Sequence, residues 1–279
     1  MILDICRQAV SEDLGDAGDI TTNAVFASTV CASAVIKSKE AGVVSGIYLM
    51  KPLFGMLSPD LTVDCCVVDG APCLPQTVFV KLRGPVRAIL AGERVALNFL
   101  QRLSGIATAT ARLKAAIAHT KAELLDTRKT TPLLRAFEKQ AVVHGGGVNH
   151  RFGLFDMVLL KDTHVAVAGG PGAAVRKAES ASLAPGIKIE VEIQSVGEFV
   201  EVIAEKPDRI MLDNMSCIDM ARCVDIRNEC APGLQLEASG NVTLETIAKI
   251  AETGVDFISC GAITHSIKAL DIHLVIKQD

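Results

Sequence analysis

Residues 122–132 read AELLDTRKTTP, in which a short apolar run ends in an acid, two adjacent cations and three hydroxyls. Five later stretches also combine a short apolar run with polar or charged residues in it or after it: MVLLKD (157–162), IKIEVEI (187–193), RIMLDN (209–214), LQLEASG (234–240) and DFISCGA (256–262). Apolar runs of this length are typical of buried strands. We therefore predict six strands between residues 122 and 262, each carrying functional side chains near its end.

Helical patterns lie between these runs, over residues 131–143, 195–205, 219–230 and 243–253. Strand-then-helix units that repeat about every 20–35 residues indicate a parallel sheet. Polar residues at the carboxyl end of every strand favour a closed (β/α) barrel over an open sheet. Six strands fall short of the eight of a complete barrel, so either a weaker strand is hidden, in LSGIATA (103–109) or THVAVAGG (163–170), or the barrel is incomplete.

The first third of the chain has a different pattern. A helix is predicted over residues 2–14, followed by the β-rich runs CASAVIKSKE (31–40), LTVDCCVVDG (61–70) and QTVFVKLRGPV (76–86). Residues 92–118 form a long helical pattern in which Ser104-Gly105 could introduce a bend. We place a domain boundary at that pair of residues.

Composition limits the function classes. The chain has 279 residues, a net charge of −4 and 4% aromatic residues, so neither a basic surface nor aromatic stacking points to nucleic acid. No apolar run approaches the length of a membrane span, and the first residues do not resemble a signal peptide. The nine cysteines are odd in number and form no C-x-x-C pair, which predicts reduced thiols and a cytoplasmic protein. A redox role for the adjacent Cys65 and Cys66 is the alternative.

Cations gather at the predicted strand ends and in the glycine-rich stretch HGGGVNHRFG (144–153). They are Arg128, Lys129, His150, Arg151 and Lys161. Arginine matches carboxylate or phosphate oxygens in pairs, and lysine is a point charge for the same groups. So many cations at one end of a barrel predict a ligand with several anionic groups, whereas a solvated loop is the structural alternative. Lys161 could instead be a buried ion-pair partner or a Schiff-base nucleophile.

Acids and small residues complete the predicted mouth of the barrel. Glu190 and Glu192 are two residues apart, so both face the barrel interior, and Asp213 ends the next strand. Such carboxylates could be neutralised by the cations, or could hold Mg²⁺ together with substrate oxygens. Ser239-Gly240 and Gly261 follow the last two strands, where barrels commonly bind phosphate.

The motifs SEDLGDAGDIT, GERVALNFLQRLSGIAT, LLDTRKTTPLLRAFEKQAV, HGGGVNHRFGLFDMVLLKDTHV, KIEVEIQS, RIMLDNMS, LEASGN and ISCGAITHS occur in this order. Together they resemble the quinolinate phosphoribosyltransferase family (nicotinate-nucleotide pyrophosphorylase, carboxylating) along essentially the whole chain. The resemblance implies a pentosyltransferase of NAD biosynthesis. With Mg²⁺, it would convert quinolinate and phosphoribosyl pyrophosphate (PRPP) into nicotinate mononucleotide, pyrophosphate and CO₂. The implied α/β fold is an N-terminal α/β sandwich domain (1–104, joined by the tail 266–279) and an incomplete, seven-stranded α/β barrel (105–265).

The resemblance also implies a role for each site residue. Quinolinate would be bound by Arg128, His150, Arg151, Lys161 and, from the neighbouring subunit of a homodimer or larger homo-oligomer, Arg94. PRPP would be bound by Lys129, Glu192, Asp213, Ser239, Gly240 and Gly261, with Glu192 and Asp213 near Mg²⁺. The catalytic residues would be Lys129, Lys161, Glu192 and Asp213. No residue is assigned to the decarboxylation.

Other functions stay open at this point. A molybdenum-operon homologue would share the fold and use another substrate. A nicotinate phosphoribosyltransferase would bind a monoacid, which needs fewer cations than a diacid. A lyase or aldolase would use Lys161 as a Schiff base. A non-catalytic sensor of pyridine dicarboxylates or nucleotides would bind without turnover.

Overall fold

The computed structural model of the protein describes residues 2–181 and 183–278, with the side chains of Ile2 and Gln278 excepted. The chain divides into two compact units. The first contains residues up to Ala109, Gln140–Gly146 and the chain from Ile267 onward, and the second contains Thr110–Lys139 and Gly147–Ser266. The domain division expected from the sequence, at residues 104/105 and 265/266, stays a prediction, and its outermost residues, Met1 and Asp279, lie outside the described ones.

The first unit is built on an antiparallel sheet of order β12-β1-β5-β3 and a short ribbon of β2 and β4. Its strands are β1 (Cys31–Ser38), β2 (Gly42–Val43), β3 (Thr62–Cys65), β4 (Pro72–Cys73), β5 (Val78–Pro85) and β12 (Ile272–Gln278). Its helices are α1 (Ile2–Leu14), α2 (Ile20–Val25), a 3₁₀ turn (Ile47–Leu49) and α3 (Met50–Leu57). A long helix, α4 (Val86–Ala116), runs from this unit into the second.

The alternation of buried and half-buried residues along β1 shows which face of this sheet is covered. Ala32, Ala34 and Ile36 of β1 are buried, and the residues between them are half-buried. Successive strand side chains point to opposite faces, so one face packs into a core and the other stays partly exposed. The predicted helix at residues 2–14 and the three predicted strands are confirmed. The expected bend does not interrupt α4, which continues through Ser104 and Gly105.

The second unit contains a parallel sheet of six strands among the described residues, in the order β6-β11-β10-β9-β8-β7. They are β6 (Glu123–Leu125), β7 (Val158–Leu160), β8 (Ile189–Ile193), β9 (Arg209–Asp213), β10 (Gln235–Ser239) and β11 (Phe257–Ser259). The helices that alternate with them are α5 (Arg135–His144), α6 (Asp162–Ala168), α7 (Pro171–Glu179), α8 (Val196–Ile203), α9 (Cys217–Cys230), α10 (Ile247–Ala251) and α11 (Ala262–His265). All six strands predicted in the sequence are confirmed.

Neither candidate for a hidden strand is a strand. LSGIATA (103–109) lies within α4, and THVAVAGG (163–170) forms most of α6. The seventh position of the sheet is instead reduced to one residue, Val148, which forms a parallel bridge to Leu125 of β6. The sheet stays open, so the incomplete barrel is the correct alternative.

The helix after β6 begins later than its sequence pattern predicts. The pattern covers residues 131–143, but α5 begins at Arg135. Leu133 has a φ of 67°, which a right-handed helix does not permit. Residues 126–134 therefore form a loop at the carboxyl end of β6, and this loop carries the first two predicted site cations.

Candidate active site

The carboxyl ends of the parallel strands enclose a cavity of about 320 Å³. All five cations predicted from the sequence line it. The complete lining is Thr127, Arg128, Lys129, His150, Arg151, Leu159, Lys161, Met211, Glu237, Ser239 and Ser259. The cations come from three separate chain segments, so the parallel fold is what brings them together.

The cations lie close enough to influence one another. Burial and the charge of Arg128 lower the pKa of Arg151, whose Nη1 is held 3.1 Å from the carbonyl oxygen of Met157. Arg128 Nε is buried and has no hydrogen-bond partner among the described residues. Lys161 is half-exposed, and its Nζ lies 3.2 Å from Glu192 Oε2. This positive cavity suits an anion, because one buried donor of its wall, Arg128 Nε, is not otherwise satisfied.

A second cavity of about 410 Å³ adjoins the first, sharing Thr127, Lys129, Ser239 and Ser259 with it. Its remaining lining is Asp213, Asn214, Gly240, Asn241, Val242, Cys260, Gly261, Ala262 and His265. The predicted residues Asp213, Gly240 and Gly261 are thus brought together with Lys129. A ligand with one group in each cavity would pass Lys129 and Ser239.

Gly240 is required at the wall of the second cavity. Its φ is 98°, and a Cβ placed on it would lie 2.1 Å from Asn214 Oδ1. Asn214 itself has a φ of 53°, and its main-chain N–H donates to the Ser239 carbonyl oxygen at 2.8 Å. The loops after β9 and β10 therefore approach more closely than a residue with a side chain would allow.

Lys129 is anchored to the last loop of the sheet. Its carbonyl oxygen accepts a hydrogen bond from Thr264 Oγ1 at 2.8 Å, and its Cδ lies 3.0 Å from where a Cβ on Gly261 would be. The exposed ammonium group is consequently carried on a fixed backbone, between the two cavities.

His150 lies over two fully buried acids. Its Nε2 is 3.1 Å from Glu190 Oε2 and 3.3 Å from Glu237 Oε2. Burial lowers the pKa of His150, but Glu190 and Glu237 outweigh burial and raise it to about 9. The Arg151 main-chain N–H, 2.6 Å from Nδ1, opposes a second ring proton. Arg209 offsets the negative charge through an Nη1 contact of 3.0 Å to Glu237 Oε2.

Comparison with known proteins gives one consistent result. The model of the quinolinate phosphoribosyl transferase N-terminal domain matches residues 19–104, and that of the C-terminal domain matches residues 106–275. The chain belongs to the quinolinate phosphoribosyl transferase family.

Relatives within this family match over almost the whole chain. The chloroplastic nicotinate-nucleotide pyrophosphorylase (carboxylating) of Oryza sativa subsp. japonica is 45% identical over 289 residues, which cover 99% of this chain and 77% of the relative. A probable nicotinate-nucleotide pyrophosphorylase of Bacillus subtilis is 39% identical over 263 residues, covering 94% and 89%. The structure of the Francisella tularensis nicotinate-nucleotide pyrophosphorylase has a TM-score of 0.93 at 38% identity, covering 99% and 96%. These matches confirm the family resemblance and the fold class.

Two residues that the family resemblance assigned to the site lie outside the cavity walls described above. Glu192 is 8% exposed and reaches the site through its ion pair with Lys161. Arg94 is exposed on α4, in the first unit. The role that the family resemblance gives to Arg94 stays a prediction.

Several side chains in the cavity walls, or in contact with them, were missed in the sequence interpretation. Glu237 lines the first cavity, and its spacing of two from Ser239 on the same strand could have revealed it. Asn241 and His265 line the second cavity, and Asp126 and Lys139 form a buried pair that contacts the His150 backbone. Lys139 had no such signal, because it lies between Glu138 and Gln140 and resembles a solvated helix residue.

Proposed function

We propose that the protein transfers the phosphoribosyl group of PRPP to quinolinate with decarboxylation, giving nicotinate mononucleotide, pyrophosphate and CO₂. The observation that carries this proposal is the pair of adjoining cavities. One is lined by five cations, and the other joins Asp213 to the small-residue loops after β10 and β11. The family membership of the chain supports the same activity.

Quinolinate occupies the first cavity in this proposal. Its two adjacent carboxylates need paired donors, which Arg128 and Arg151 supply through guanidinium forks. Lys161 and His150 add positive charge at the same wall. Leu159 and Met211 offer apolar surface for the faces of the pyridine ring. The ring is thereby oriented so that its nitrogen points toward the second cavity.

PRPP occupies the second cavity, with its 5′-phosphate at Ser239, Gly240 and Gly261. Small residues let main-chain N–H groups approach phosphate oxygens. Lys129, which lines both cavities, faces the pyrophosphate at the point where the new bond forms. Asp213 and Glu192 lie near the ribose.

The reaction builds positive charge on the ribose as pyrophosphate leaves. Carboxylates near the ribose and a cation at the leaving group are preorganised for this charge pattern. The pyridine nitrogen then bonds to the anomeric carbon and becomes cationic. The ring can accept the electron pair released when the adjacent carboxylate departs as CO₂, and a proton replaces that carboxylate.

Mg²⁺ is part of the proposal as a cofactor held chiefly by PRPP. Asp213 and Glu192 are the two carboxylates that would hold it, and Mg²⁺ commonly uses one or two carboxylates with phosphate oxygens and water. Bound there, it would neutralise charge on the departing pyrophosphate. Among the described residues, the metal-ligating side chains that form a cluster of three are His150, Glu190 and Glu237. Arg209 Nη1 lies 3.0 Å from Glu237 Oε2 and already offsets the negative charge of this buried cluster, which makes it a poor metal site.

Assembly and location are also proposals. We propose a homodimer or larger homo-oligomer in which Arg94 reaches the neighbouring subunit's quinolinate cavity; its exposure on α4 is compatible with that role. We propose a cytoplasmic location, supported by nine free cysteines, four of them exposed. The rice relative's name specifies the chloroplast, so cell fractionation would decide this point. None of the described helices has the length and apolar character of a membrane span.

Product analysis tests the function. Incubation with quinolinate, PRPP and Mg²⁺ should yield nicotinate mononucleotide, pyrophosphate and CO₂ in equal amounts. No product at saturating substrates would exclude the proposal. Borohydride trapping with a carbonyl substrate would reveal a Schiff base on Lys161, whose Nζ lies 3.2 Å from Glu192 Oε2.

A further inference from the structure

A buried ion pair contacts the backbone of His150, which lines the first cavity. Asp126 is fully buried and Lys139 is 1% exposed. Lys139 Nζ donates to Asp126 Oδ1 at 2.5 Å. Asp126 follows β6 and is two residues before Arg128, whereas Lys139 lies on α5. Neither side chain lines a cavity that the proposed reaction uses.

This ion pair binds both main-chain polar groups of His150. The His150 N–H donates to Asp126 Oδ1 at 2.8 Å, and the His150 carbonyl oxygen accepts from Lys139 Nζ at 3.0 Å. Asn149, with its amide oriented so that the NH₂ group faces these acceptors, donates to Asp126 Oδ2 at 2.6 Å and to the Lys139 carbonyl oxygen at 2.9 Å. One ion pair thus fixes the two peptide groups that flank His150, Asn149–His150 and His150–Arg151.

The same residues connect the two loops that carry most of the cavity's cations. Asp126 begins the loop with Arg128, and its main-chain N–H donates to the Val148 carbonyl oxygen at 3.2 Å. On the other loop, the Arg151 N–H donates to His150 Nδ1, so the position of His150 also sets that of Arg151. A shift of the His150 backbone would therefore move the cations of both loops relative to one another.

Stability alone is a poor explanation for this pair. Burying two charges costs several kcal/mol for each ion, and apolar replacements of similar volume are often equally stable or more so. Burial raises the pKa of Asp126 and lowers that of Lys139, so each charge depends on the other. What an apolar pair could not supply is the set of directed hydrogen bonds to the His150 peptide groups.

We propose that Asp126 and Lys139 are positioning residues, which hold His150 and Arg151 in the geometry that binds the dicarboxylate. The proposal rests on the proposed function and names residues that act through the cavity wall without contacting substrate. Their loss should weaken quinolinate binding selectively, because Gly240 packs against Asn214, and Lys129, although in the loop that Asp126 begins, has its carbonyl oxygen held separately by Thr264 Oγ1.

The test compares Lys139→Met and Asp126→Asn with a matched pair at the opposite end of the sheet. Arg227 is also buried, and its Nη1 lies 2.8 Å from Asp256 Oδ2; these two side chains likewise bind main-chain groups, namely the Leu234 carbonyl and the Leu236 N–H. Arg227→Met should lower Tm and leave both KM values unchanged. Lys139→Met and Asp126→Asn should raise the KM for quinolinate about tenfold or more, with the KM for PRPP changed less than about twofold.

Lys139→Arg keeps the charge and should recover part of the quinolinate affinity. If Lys139→Met does not fold, the near-isosteric Asp126→Asn decides the question. A quinolinate KM within about twofold of wild type in folded Asp126→Asn would overturn the proposal and leave a purely structural pair. Failure of the wild-type protein to turn over quinolinate would contradict the proposed function instead, so the two failures are distinguishable.

Discussion

The two ends of the parallel sheet use the same kind of interaction for different purposes. At the amino ends, Arg227 and Asp256 form an ion pair that binds the Leu234 carbonyl and the Leu236 N–H at the start of β10, and Arg227 also donates to the Gly254 carbonyl before β11. At the carboxyl ends, Asp126 and Lys139 do the same for the His150 peptide. The second pair holds His150, which lines the cavity where the buried donor Arg128 Nε has no partner among the described residues. A buried ion pair therefore does not show which end of the sheet carries the site. An unsatisfied buried donor in a cavity wall is the better indicator.

The largest expected effect comes from removing one of those donors. Arg128→Ala should reduce kcat/KM for quinolinate by at least about 100-fold, because a buried charge-assisted contact is worth roughly 2–5 kcal/mol. Steady-state kinetics with varied quinolinate measure it. Arg222→Ala is the control, since Arg222 is an exposed arginine on α9 that forms a surface contact with Asp219. A loss below about 1 kcal/mol in Arg128→Ala would contradict the assignment of this cavity.

Glycines at the two ends give the next comparison. Gly240→Ala places a Cβ 2.1 Å from Asn214 Oδ1 at a φ of 98°, so the loop has to move. We expect the KM for PRPP to rise about tenfold or more, since such strain costs about 1–3 kcal/mol. Gly233→Ala, before β10 at the amino end, meets no atom within 4 Å and should change neither KM value. Equal effects of both substitutions would show that the contact at Gly240 does not shape the phosphate site.

Removing the amino-end ion pair should affect stability alone. Arg227→Met leaves Asp256 without its buried partner, and breaking such a pair costs about 3 kcal/mol or more. Chemical denaturation should show a lower free energy of unfolding, whereas kcat/KM for both substrates stays within about twofold of wild type. A selective loss of quinolinate affinity in this variant would contradict a purely stabilising role for the amino-end ion pair.

The sequence predicted the second sheet and the residues of its carboxyl-end cavities only in part. All six strands of the second sheet were found, because the apolar runs and the polar residues near their ends are local signals. The seventh position was missed, since one bridging residue, Val148, has no pattern of its own. The five cations were found because they lie in the local motifs AELLDTRKTTP, HGGGVNHRFG and MVLLKD. Lys139 was missed, because its burial depends on Asp126, a contact between two elements that no local pattern reveals.

Opposite pH responses at the two ends are the smallest expected effect. The raised pKa of His150 means that its stabilising contribution is complete below about pH 6.5 and is lost as the pH rises through about 9. At the other end, burial raises the pKa of Asp256, but hydrogen bonds from Leu236 and Lys121 and the ion pair with Arg227 outweigh it and lower the pKa. The stabilising contribution of Asp256 is present above its pKa in the unfolded chain and is lost as the pH falls through its pKa in the folded protein.

Thermal unfolding from pH 3 to pH 10 separates these contributions. His150→Gln should flatten the decline of Tm above neutral pH, and Arg227→Met should reduce the decline in acid. Identical pH profiles in wild type and both variants would show that neither group is linked to folding in this way.

The most direct test of the central claim follows the carboxylate next to the ring nitrogen. Quinolinate carrying labelled carbon in that carboxylate should release labelled CO₂ only when PRPP is present. The labelled CO₂ should equal the pyrophosphate and nicotinate mononucleotide formed, and Arg128→Ala should lose all three products together while Arg227→Met retains them. Release of labelled CO₂ without PRPP, or unchanged release in Arg128→Ala, would contradict the proposal that the cation-lined cavity at the carboxyl ends performs this reaction.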